Sequence, residues 1–174
     1  MKEAIGGIFS IQAIVIFLVL ASGLLAFSVN YTKAFKVKND IRRVIEEFEG
    51  LTDSASIKID KVADKYNYNV STPNDYVNIC KSMEGYKAYR STTTEGNNVV
   101  FCIKCDLANV EGNQEGQLRY KGAYYTVATF VTIDIPLINK VFPKAASFLK
   151  VKGETSLIYS SGTNTELCRY AKTE

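Results

Sequence analysis

Four cysteines, Cys80, Cys102, Cys105 and Cys168, are the residues of this 174-residue chain whose type and spacing point most sharply to chemistry. Cys102-Ile103-Lys104-Cys105 has the spacing of a redox pair or of half a zinc site. A zinc site needs a second close pair, whereas the remaining spacings are 22 and 63 positions. A redox pair needs its first cysteine at a helix N-terminus, where the thiol pKa falls. Here both cysteines lie within Val99 to Leu107, an alternating run that reads as a strand. Residues three apart on a strand are about 10 Å from each other and on opposite faces, beyond the roughly 7 Å reach of a disulfide. They are therefore expected not to bond each other. Cys80 and Cys168 are left to pair with them, in either crossing, as two structural disulfides of an exported domain. The alternation places Cys105 with the core-facing residues and Cys102 on the opposite face.

Little else in the chain suggests chemistry. Histidine is absent, which removes the commonest general base and metal ligand together. There is no Gly-x-Ser-x-Gly nucleophile, no phosphate-binding glycine loop and no convincing carboxylate pair. The expectation is a protein without catalytic residues, metal or cofactor. Basic residues number 21 against 18 acidic ones and form no dense patch in the C-terminal part, so nucleic acid is not expected as a partner.

The stretch that must position everything else is Ile8 to Val29, IFSIQAIVIFLVLASGLLAFSV, 22 residues without a charge. As a helix it measures about 33 Å, enough to cross the roughly 30 Å hydrocarbon core of a bilayer. Two other readings compete with a membrane span. One is a cleaved secretory signal, with Ala26 and Ser28 as its small-x-small pattern; the other is a buried helix of a soluble domain. No helix breaker follows from Val29 to Glu49. Tyr31, Phe35, Ile41, Val44, Ile45 and Phe48 recur at close to helical spacing, and Gly50 supplies a stop. Lys33, Lys36, Lys38, Arg42 and Arg43 take the other positions. By the positive-inside rule these five cations belong in the cytoplasm, opposite to the exported side that the cysteines indicate. The rule weakens before a long domain, so an exported head is the expectation. The same cations could lie along anionic headgroups or pair with carboxylates of a neighbouring helix.

The remainder reads as α followed by β. Thr52 to Asn69 carries a second helical pattern, capped by Asp53 or Ser54. From Thr72-Pro73-Asn74-Asp75 onward turn signals and short alternating runs take over. Strands are expected at Tyr86 to Thr92, Val99 to Leu107, Ala123 to Ile135 and Leu149 to Tyr159. Ala123 to Ile135 is the longest and the sheet centre, and Gly153 is a bulge or turn within the last run. Asn109 to Gln117 reads as an exposed hairpin loop and Pro136 to Pro143 as one helical turn. Segregated helices and strands define an α+β class, with the amphipathic helix covering an antiparallel sheet.

The first residues add a motif. Met1 to Gly7, MKEAIGG, is a short polar leader closed by glycine. An apolar helix follows at Ile8, with one polar residue, Gln12, at its fifth position. This resembles the prepilin processing site of type IV pilins and TadE-like pilus proteins. The runs YTVATFVTIDIPLINKVFP and KVKGETSLIYSS are similar in general pattern to the C-terminal strand-turn-strand region of TadE-like proteins. The family normally has Glu at the fifth mature position, whereas Gln12 carries no charge.

The resemblance implies cleavage between Gly7 and Ile8 by a prepilin peptidase, and packing of the long helix, Gln12 included, against other pilin-like subunits. It divides the chain into a leader (1–7), a transmembrane and amphipathic helix (8–49) and an extracytoplasmic head (50–174). Expected partners are the lipid bilayer and sister subunits. The competing reading is a single-pass anchor whose outer domain binds or senses something.

Overall fold

A computed structural model describes residues 2–110, 120–131, 149–160 and Cys168. Three helices lead, α1 (Lys2–Glu47), α2 (Asp53–Lys65) and α3 (Pro73–Lys81). Five strands follow, β1 (Lys87–Thr92), β2 (Asn98–Val110), β3 (Tyr120–Phe130), β4 (Lys150–Glu154) and β5 (Ile158–Ser160). The architecture is the expected α+β arrangement of a long N-terminal helix on an antiparallel sheet. Strand order is β1-β2-β3-β4, with β5 also pairing β3. β3 is thus central, as expected, although β2 with 13 residues is longer than β3 with 11. The 132–135 end of the expected strand, the Pro136 to Pro143 turn and most of the Asn109 to Gln117 loop lie outside the described residues.

α1 runs unbroken for 46 residues, about 69 Å. It ends where Glu49 enters the left-handed region at φ 52° and Gly50 follows at φ 143°, the Gly50 N–H closing on the Ile45 carbonyl at 2.9 Å. The stop expected at Gly50 is therefore shared with Glu49. Only the C-terminal part of α1 is packed: Ala34, Val37, Ile41, Val44 and Ile45 are buried on one stripe. Fully burying each larger side chain contributes roughly 1.5 to 3 kcal/mol. Tyr31 and Phe35, expected on that stripe, are 46% and 43% exposed. They fall beside it, because the head meets the face through Ala34, Val37 and Ile41. α2 starts at Thr52, whose Oγ1 accepts from the Ala55 N–H at 3.2 Å, so the cap is neither Asp53 nor Ser54.

α3 is a departure from the expected turn region. Pro73 occupies the first helical turn, where its fixed φ suits a helix and its missing N–H satisfies nothing that needed satisfying. The helix covers the sheet face opposite α1 and α2. Phe101 of β2 stacks on Tyr89, whose hydroxyl reaches Ser56 and Asp60 of α2, and Thr129 Oγ1 donates to Ala34 O of α1 at 2.9 Å. On the other face, Cys102 bonds Cys80 of α3, and Tyr76 of α3 packs on Phe130 with ring centroids 4.6 Å apart. The sheet is sandwiched, so Val99 to Ile103 is buried at every position.

Gly153 is neither a turn nor the break between two strands. It pairs in register with Val127 inside β4, and the break comes at residues 155–157. There Thr155 takes over from the ladder: its N–H donates to Tyr125 O at 2.9 Å and its Oγ1 accepts from Tyr125 N at 3.0 Å. A Cβ at Gly153 would meet the end of the Lys38 side chain, whose Cδ, Cε and Nζ lie 2.8 to 2.9 Å from where it would stand, so Lys38 would have to shift. Lys38 is 6% exposed and its Nζ sits 4.3 Å from the Phe35 ring centroid. Burial, followed by the nearby Arg42 charge, holds its ammonium below the ordinary lysine range. Gly153→Ala is expected to destabilise the head by about 1 kcal/mol, the low end of overpacking, because the atoms it meets are the flexible end of Lys38. A denaturant double-mutant cycle with Lys38→Ala checks this: the pair should recover part of the loss, and simple additivity would refute the contact.

Candidate functional site: the outward face of helix α1

The feature of the molecule that calls for a function is the uncovered part of α1. Among the described residues it is the one helix long and apolar enough to cross a membrane. Phe17, Leu24, Leu25 and Val29 are each 67% to 70% exposed, and nothing in the head packs over residues 11–20. Exposed aliphatic surface on this scale is stable only when lipid or another apolar partner covers it. Three polar side chains on it and just beyond it bond to backbone carbonyls of the helix itself, which suits a hydrocarbon environment. Ser22 Oγ donates to Val19 O at 2.9 Å, Asn30 Nδ2 to Ala26 O at 3.0 Å and Thr32 Oγ1 to Ser28 O at 2.9 Å. Gly7 and Ile8 lie inside the same unbroken helix, and Gln12 is exposed on it.

The five cations beyond the apolar run separate into two groups. Lys38 is turned into the head, and Arg42 donates through Nη1 to Glu154 O at 3.2 Å while its Nε lies 3.7 Å from Glu46. Glu46 in turn accepts from Ser156 N at 2.6 Å, which ties α1 to the strand break. Lys36 and Arg43 are exposed and Lys33 is half-buried. Ser28, Val29, Thr32, Lys33 and Lys36 line an open concavity of about 320 Å³ whose far wall is Tyr66. Tyr66 is fixed there by its hydroxyl, which donates to Asp40 Oδ2 at 2.9 Å, and Lys65 stands 3.8 Å from the same carboxylate. Sequence reading missed this concavity. Its signal was present in the spacing of Val29, Thr32, Lys33 and Lys36, one face of a helix, while the Tyr66 wall depends on how α2 folds back.

All four cysteines are bonded, Cys80 to Cys102 and Cys105 to Cys168, with Cα separations of 5.1 and 5.8 Å. The structure thus selects one of the two crossings and keeps Cys102 and Cys105 apart, as expected. The assignment of faces was incomplete. Cys102 is fully buried under α3, on a face expected to be open, whereas Cys105 is half-buried. No free thiol remains among the four. Among the described residues no three acidic or cysteine side chains converge as metal ligands.

No protein-family model matches this chain, and no curated protein and no solved structure matches it either. What the molecule itself supplies is one membrane-capable N-terminal helix joined to a doubly disulfide-bonded α+β head.

Proposed function

We propose that the chain is a membrane-anchored, pilin-like or TadE-like subunit: α1 is its anchor and assembly helix, and the head stands on the extracytoplasmic side. The observation that carries this reading is the division of α1. One helix is bare and mainly apolar over residues 11–20 and forms the spine of a compact head in its C-terminal half. A subunit that first resides in a bilayer and then packs helix against helix needs that division. The disulfides favour an oxidising compartment for the head. The burial of Lys38 and the engagement of Arg42 with the head weaken the opposing charge argument, because two of the five cations serve the fold.

The experiment is intact-mass measurement of the mature protein purified from its own membranes. Processing of the pilin type gives a chain beginning at Ile8. A chain retaining Met1 would overturn pilin-type maturation and favour a single-pass binding domain. A start near Val29 would overturn the anchor as well.

A further inference from the structure

The concavity beside α1 lies at a defined height relative to the bilayer. Val29 ends the uncharged run, and Lys33 and Lys36 follow about 6 and 10 Å further along the helix axis. Helical side chains tilt toward the N-terminus, which here means back toward the membrane, so both ammonium groups return to the headgroup layer. Tyr31 and Phe35, left exposed by the head, stand at the same level, the position of an interfacial aromatic belt. The carboxylate nearest this wall, Asp40, is engaged by Tyr66 and Lys65, which limits repulsion of an incoming anion.

We propose that this concavity binds the phosphodiester headgroup of an anionic glycerophospholipid, with Lys33 and Lys36 providing the charge and the Val29 and Tyr66 walls seating the upper glycerol and chain region. The proposal rests on α1 being a membrane anchor and not on assembly into a filament. A lipid fits the site better than a second copy does. A copy in the same bilayer presents its own lysines at the same height; of the acidic residues of α1, Glu3 lies at the far N-terminal end and the others lie further along the helix, where Asp40 is engaged by Tyr66 and Lys65, Glu47 is bonded to Lys58 and Glu46 to Ser156.

The test uses the full chain in nanodiscs of phosphatidylcholine mixed with phosphatidylglycerol, read by native mass spectrometry of lipids retained on the released protein. The expected result is preferential retention of phosphatidylglycerol. Lys33→Gln with Lys36→Gln should reduce that preference about 25-fold, since each lysine near an anionic surface contributes about fivefold. Lys33→Arg with Lys36→Arg should keep it, as should the charge-matched control Lys61→Gln with Lys81→Gln on the head. Flotation with pure phosphatidylcholine vesicles separates the two levels of the argument. A wild-type chain that fails to float overturns the anchor and the lipid site together. A chain that floats but retains both lipids equally, or a Gln pair that keeps the preference, overturns the lipid site alone.

Discussion

Replacing Cys80 and Cys102 together by alanine is expected to lower the unfolding free energy of the head by about 3 to 5 kcal/mol. The bond closes a loop across 22 positions, worth about 3 kcal/mol in the chain-entropy account. The Cys105–Cys168 bond spans 63 positions and on the same account is worth about 4 kcal/mol. Burial reverses that ranking. Cys80 and Cys102 are 0% exposed and join α3 to the middle of the sheet, so their loss adds a core cavity to the entropy term. α3 has nine residues, too few to be helical on its own, and without its tether the Val100 and Phe130 face loses its cover. Cys105 is only half-buried, and its bond holds the tail at Cys168. Urea unfolding of both double variants in detergent should therefore rank Cys80/Cys102 as the costlier pair, and the opposite order would contradict the burial argument. In the intact protein no cysteine should react with a thiol reagent before a reductant is added. Gentle reduction should expose Cys105 and Cys168 first.

Legibility followed the number of partners each segment has. The apolar run needed only the sequence, because an unbroken apolar segment imposes one demand along its length, and it is part of one continuous helix in the structure. Strands β2 and β3 and the run that holds β4 and β5 were found through alternation. Alternation nevertheless undercounted the core, since it assigned one face to solvent. Val100 and Cys102 are buried because α3 lies over them, and α3 was read as a turn because Pro73 breaks a helix interior as readily as it begins a helix. The disulfide partners were narrowed to two crossings by strand geometry, and the choice between them required knowing where α3 sits. Lys38 was placed with the solvent-facing cations; its burial over Gly153 is a tertiary fit between residues 115 positions apart that no local pattern carries. The concavity at Lys33 and Lys36 was half visible, as a helical face without the Tyr66 wall.

Tyr68→Phe should be the most damaging single-atom change in the head, lowering stability by about 2 to 4 kcal/mol, because it strands two buried backbone groups at once. Asn67, at φ 46°, turns the chain out of α2, and the Tyr68 N–H closes on Ala63 O at 2.8 Å, which aims the ring into the sheet. The β2–β3 ladder runs as far as Cys102 opposite Ala128, and in the same register Val100 would stand opposite Phe130. At that point the Tyr68 hydroxyl takes the place of a direct ladder bond. It donates to Val100 O at 3.0 Å and accepts from Phe130 N at 3.1 Å, with the whole side chain 1% exposed. Phenylalanine preserves the packing and removes the bridge. By comparison, Tyr89→Phe removes the hydroxyl's bonds to Asp60 Oδ1 and Ser56 O but leaves Asp60 Oδ2 accepting from Ser91 Oγ at 2.8 Å, so its loss should be smaller.

The same geometry sets a pH dependence. Burial pushes the Tyr68 phenol well above its ordinary value, and burial followed by the Asp60 charge does the same to Tyr89. In the unfolded chain both ionise near pH 10. Above that pH the native state binds more protons than the unfolded one, so stability is complete below about pH 10 and falls as pH rises further. Denaturant titrations on either side of pH 10 should show that fall in the wild type and a shallower one in Tyr68→Phe, which has one fewer raised phenol. A Tyr68→Phe variant within about 0.5 kcal/mol of wild type, the usual range of a neutral surface change, would show that the hydroxyl does not bridge the two strands.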